Sequence, residues 1–87
     1  MHEFSLIANL LHKIDDVIHE QGARRAVTVH VKLGALAHIS ADHFRGHFVD
    51  GSRGTVAEGA CLKIEESDDP DDPHAQDILL QSVEVAD

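Results

Sequence analysis

Residues 3–20 constrain this chain most. Phe4, Ile7, Leu11, Ile14 and Ile18 recur every three or four positions, and Leu6, Leu10 and Val17 widen the stripe. That is the spacing of an amphipathic helix whose apolar face must be buried. No proline or glycine interrupts the run, and Gly22 stands where a left-handed residue can close the helix. The polar face carries His12, Lys13, Asp16, His19 and Glu20. His12 with Asp16, and Asp15 with His19, are four apart and read as solvated surface pairs. In 87 residues there is room for one domain, 1–87, with a single small core. Only three residues are aromatic, all phenylalanine, so that core is aliphatic.

After the Arg24-Arg25 break, Val27, Val29, Val31 and Leu33 alternate with Thr28, His30 and Lys32, a half-buried strand ending at Gly34. Ser40 reads as the N-cap of a short second helix, about 40–50, with Asp42 in its first turn where the helix dipole favours an anion. Phe44 and Phe48 share its inner face. His43 and His47 are also four apart, and His-x-x-x-His on a helix can hold a divalent metal. Two ligands do not make a site, however, and Gly46 weakens the helix between them.

A second strand is expected near 59–66, with Ala60, Leu62 and Ile64 facing one way. A third runs over about 78–85. In it Ile78 and Leu80 are out of phase with Val83 and Val85, so a bulge near Gln81-Ser82 is needed to bring both pairs to the core. Between them, residues 66–77 hold six acidic side chains, two prolines and one histidine, a composition that reads as a solvated tip. The order α-β-α-β-β gives an α+β fold: two layers, two helices on one face of a three-stranded sheet, with strands two and three as a long hairpin.

The formal net charge of −9 argues against nucleic acid or an anionic membrane surface as partner. A single cysteine, Cys61, excludes an internal disulfide and any multi-cysteine zinc knuckle. It fits a reducing, cytoplasmic compartment. No apolar run approaches the roughly 18 residues of a membrane span, and no signal peptide is expected before Met1. No nucleophile–base pair, phosphate-binding glycine loop or carboxylate dyad suggests an enzyme.

Met1-His2-Glu3 is a chelating unit. The terminal amine and the His2 backbone nitrogen close a five-membered ring on a metal, and that nitrogen with His2 Nδ1 closes a six-membered one. Three nitrogens in one plane suit Ni(II) or Cu(II). The fourth position is open to the Glu3 backbone nitrogen, to water, or to a donor from elsewhere in the fold. His38 and Asp42 are the remote candidates. His43 begins a face shared with His47, and His74 reaches the terminus only if the hairpin folds back.

Met-His-Glu-Phe-Ser-Leu at the start, Gly22-Ala23-Arg24-Arg25, Lys32-Leu33-Gly34, the segment Gly54 to Ala60, Leu62 to Glu66, and the final Ile-Leu-Leu-Gln-Ser-Val-Glu-Val together resemble the HypA/HybF family of nickel-incorporation accessory proteins for [NiFe]-hydrogenase and urease. The resemblance runs over residues 1–66 and 78–87. It implies a nickel-binding accessory protein, a metallochaperone, with Ni(II) at Met1, His2 and Glu3. It also implies docking to a maturation GTPase or a hydrogenase large subunit, with a homodimer also open. The family places an acidic residue near nickel where this chain has Ser40, and here the nearest carboxylate is Asp42. Members also interrupt the region between the last two strands with a zinc domain built on two Cys-x-x-Cys pairs. In this chain the acidic loop 67–77 stands there without a cysteine, so no structural zinc is expected. The alternative reading is an adaptor or small subunit of a hydrogenase assembly that reuses the fold without trafficking metal.

Overall fold

The chain runs α1 (His2–Gln21), β1 (Arg25–Leu33), α2 (Ala41–Ser52), β2 (Cys61–Glu66) and β3 (Ile78–Ala86) in a computed structural model that describes residues 2–87, with side chains described from Leu6 onwards. The α1 stripe buries Ile7, Leu10, Ile14 and Ile18. Gly22 closes the helix at φ 65°, and its N–H donates to the His19 carbonyl. Ser40 caps α2, its Oγ accepting the His43 N–H at 3.1 Å. Glu66 Oε1 accepts the Ala41 N–H, so two of the N–H groups that a helix start leaves unpaired are satisfied. Phe44 and Phe48 are fully buried against α1 and the sheet. At the other end of α2, Gly51 lies against Ile7 and Leu11, where a bare backbone lets the helices approach.

Both helices and the three strands share one core, the two-layer α+β arrangement expected. The strand order corrects one expectation: it is β2-β1-β3, with β1 central, parallel to β2 and antiparallel to β3. β2 and β3 therefore lie on opposite edges and form no hairpin. The cause is burial. Val29 and Val31 on β1 have no exposure, and the strand that is most buried takes a partner on each edge. The α2 crossover returns the chain parallel to β1, as such connections do, and the long 67–77 connection carries it across to the other edge. At β2, Arg45 Nη1 donates to the Leu62 carbonyl at 2.9 Å.

Two bulges set the faces of the sheet. In β3, His30 pairs with Ser82 and Val31 with Leu80, so Gln81 is the extra residue. Ile78, Leu80 and Val83 thereby pack on the same core, but Val85, which the bulge was also expected to bury, stays 36% exposed. In β1 the pairing steps from Ala26 to Thr28, which brings Ala26 into the core and leaves Val27 39% exposed. The sequence alternation had placed Val27 inside; the bulge reverses it.

The acidic segment is not a free tip. Ser67 N–H donates to the Leu33 carbonyl, Gly34 N–H to Asp77, and Leu36 N–H to Ala75 at 2.7 Å. Ala75 is buried. Asp69 and Asp72 accept the N–H groups of Asp71 and His74 through their carboxylates, the Asx turns that make such sequences compact without a core of their own.

Candidate metal centre

The amino-terminal tripeptide is only partly visible. Met1 lies outside the described residues, as do the side chains of His2 and Glu3. What the structure gives is the backbone: α1 begins at His2. The first N–H groups of a helix have no intrahelical acceptor, so the amide nitrogens of His2 and Glu3 are not committed to the helix ladder. Chelation through backbone nitrogen requires amides in that condition. The helix N-terminus disfavours a cation, but an amide that loses its proton on binding brings its own negative charge.

The first turns of α1 flank a groove. Leu6, Asn9, Leu10 and Lys13 form one wall, and His74, Asp77, Ile78 and Leu79 the other. His74 Nδ1 lies 3.0 Å from Asp77 Oδ2. A carboxylate only accepts, so Nδ1 carries the proton, and in the neutral imidazole Nε2 keeps its lone pair.

The two remote residues expected from sequence lie elsewhere. His38 is exposed in the connection between β1 and α2, at φ 59°, a left-handed conformation that histidine enters more readily than most side chains. Asp42 is exposed in the first turn of α2. Neither is among the described residues lining the groove beside α1. His43 and His47 stack, with ring centroids 4.6 Å apart and planes 23° from parallel. Imidazole lone pairs lie in the ring plane, so rings stacked this way aim them side by side and not at one atom. Among the described residues no group of three or more His, Cys, Asp or Glu side chains is placed to hold a metal ion.

Sequence reasoning discounted His74 because it set the residue on a detached tip. The signal that would have placed it is the contact of Ala75 with the end of β1, which no local pattern announces. Cys61 is exposed on β2. No helix among the described residues is long and apolar enough to cross a membrane.

Comparison with known proteins gives one consistent answer. The family described as "Hydrogenase/urease nickel incorporation, metallochaperone, hypA" matches residues 1–69. The hydrogenase maturation factor HypA of Chloroflexus aurantiacus is 41% identical over 66 residues, 76% of this chain and 58% of that protein. The one from Methylocella silvestris is 38% identical over 65 residues, 75% of this chain and 58% of its own length. The chain thus spans under two thirds of the relatives it matches. The solution structure of the nickel metallochaperone HypA from Helicobacter pylori superimposes with a TM-score of 0.79 at 15% identity, covering 97% of each chain. A second solution structure of a HypA protein gives 0.76 at 18% identity, over 98% of this chain and 96% of that one. At those identities the likeness shows the fold.

Proposed function

The chain belongs to the HypA family of nickel-incorporation metallochaperones, and from that premise we propose that it binds one Ni(II) at its amino terminus and passes it to an acceptor during maturation of a nickel enzyme. The relatives are named as hydrogenase maturation factors, and with nickel as cargo the acceptor system of this reading is a [NiFe]-hydrogenase. The observation that carries the reading is the Met-His-Glu sequence, with α1 beginning at His2 so that the first amides are uncommitted. The terminal amine, the His2 amide and the His2 imidazole hold the metal, and the Glu3 backbone lies next in line. Nickel is cargo: the amine and one amide each give a proton to water as it binds, and recover it when the acceptor takes the ion. The fourth position is the exchange point.

The protein acts by transfer and not by catalysis. Its partners are a maturation GTPase and the hydrogenase large subunit, in the cytoplasm, and a second copy of the chain is a further candidate. The acidic loop 67–77 occupies the place of the family's zinc domain. With one cysteine, exposed on a strand, the chain has no thiolate set for structural zinc. That same loss favours the second reading, an adaptor that kept the fold and gave up metal transfer.

Nickel titration of protein with a native amino terminus separates the two. Stoichiometric binding that disappears in His2→Ala supports the chaperone. Binding by His2→Ala as tight as by the parent, or no binding by the parent, removes it and leaves the adaptor.

A further inference from the structure

We propose that β3 is a self-association surface. It pairs antiparallel with β3 of a second copy about a two-fold axis between Gln81 and Ser82, so that two three-stranded sheets become one continuous sheet. This names a surface for the second-copy partner raised above, and it holds or fails independently of nickel.

The two edges of the sheet differ. Three of the six residues of β2 are charged, Lys63, Glu65 and Glu66, and Arg45 bonds the Leu62 carbonyl of that strand. β3 carries one charge in nine residues, Glu84, and that carboxylate turns to His30 Nε2 at 3.2 Å. β3 has no proline, lysine or arginine, the residues with which natural sheets blunt an open edge. At about 30 Å it is also a long edge. Ile78, Leu80 and Val83 pack on the core but stay partly exposed, and Val85 is 36% exposed.

The phase change at the bulge points to a second copy as the occupant. Residues opposite each other in a sheet share a face. Through their partners on β1, Ile78, Leu80, Val83 and Val85 lie on the helix side, and Leu79, Ser82 and Glu84 on the open side. This pattern reads the same from either end about the midpoint of Gln81 and Ser82. Laid antiparallel across that point, Ile78 meets the partner's Val85 and Leu80 meets the partner's Val83, all on the helix side. Leu79 meets the partner's Glu84 on the open side. An axis through Ser82 itself sets Leu80 against Glu84, on opposite faces, so the register is specified.

The strand ends match in charge. β3 starts from Asp77, the close of the acidic segment, and finishes beside two arginines. The Arg24 N–H donates to the Ala86 carbonyl, and Arg25 is the β1 partner of Ala86. Antiparallel pairing brings the acidic end of each copy to the arginine end of the other, twice by symmetry. That opposes the repulsion between two chains of formal charge −9 at the place where they meet.

The test is sedimentation equilibrium of the full chain from micromolar to millimolar concentration, with reductant present so that Cys61 cannot link chains. The mass should rise toward twice that of one chain. Val85→Lys plants a cation against the partner's Ile78 and should return the mass to that of one chain throughout. It makes the chain less negative, so a simple change in charge repulsion would act the other way. Val85 lies outside the core cluster, and circular dichroism checks the fold. Hydrogen exchange of the parent needs no variant: β3 amides should slow as concentration rises, and β2 amides should not. A single-chain mass at every concentration overturns the proposal. So does a dimer that survives in folded Val85→Lys, or one that protects β2 in place of β3.

Discussion

The carbonyl oxygen of Ala75 occupies the space a side chain on Gly34 would need. Gly34 has an ordinary φ, so the requirement there is room and not conformational freedom. The contact fastens the acidic loop to the end of the central strand.

Gly34→Ala should therefore destabilise the fold by about 1–3 kcal/mol, the range for overpacking against backbone that cannot yield. Gly46→Ala is the control. No atom beyond the local helix backbone lies within 4 Å of a Cβ there, and the helix should gain up to about 1 kcal/mol. Urea unfolding reads both, and equal midpoints for the two variants would falsify the account of the contact.

Ser40→Ala removes the acceptor of the His43 N–H. The expected loss is about 0.5–2 kcal/mol, with the first turn of α2 exchanging its amide hydrogens faster. An unchanged exchange rate there would mean that Glu66 alone holds the helix start.

Deleting Gln81 tests the bulge. Without it, alternation carries either Val83, or Ile78 and Leu80, away from the helices. Exposing even one such side chain costs about 1.5–3 kcal/mol. A deletion variant as stable as the parent would show that β3 can slip without loss.

A residue or tag placed before Met1 should abolish nickel binding while leaving the fold intact, because it converts the amine into an amide. Binding should also weaken as pH falls, since two protons leave for each ion bound. The slope approaches roughly 100-fold in apparent affinity per pH unit. Isothermal titration at several pH values measures it, and a flat profile would place the metal on side chains alone.

The protein should purify without stoichiometric zinc and keep its circular dichroism in excess chelator. One tightly held zinc per chain by elemental analysis would contradict the reading of loop 67–77.

What was legible in the sequence was local. The α1 stripe, the Ser40 cap and the need for a bulge at Gln81 all follow from spacing within a few residues, and the structure carries each of them. The sheet order was not legible, because nothing in β2 or β3 taken separately says which edge of β1 it will meet. Val27 was misplaced for the same reason: its bulge is a property of the pairing with Glu84 and Val85. His74 was set on a free tip because composition alone made its loop look solvent-borne. A buried alanine, Ala75, and a distant glycine, Gly34, decide where that histidine stands. The start of α1 is legible only as chemistry, through the identity of Met1, His2 and Glu3.

Because β2 and β3 flank β1, the segment joining them bridges a gap of about two strand spacings, ~10 Å, and sets no strand register. Its length is then constrained by little more than chain statistics: doubling a flexible connection adds only about 0.6 kcal/mol to the cost of closing it. Residues ahead of the Ala75 anchor form a port in the fold. A short acidic turn or an entire folded module can enter there with the same helices, the same sheet and the same groove beside α1. A hairpin would have had no such tolerance, since its turn fixes which residues meet.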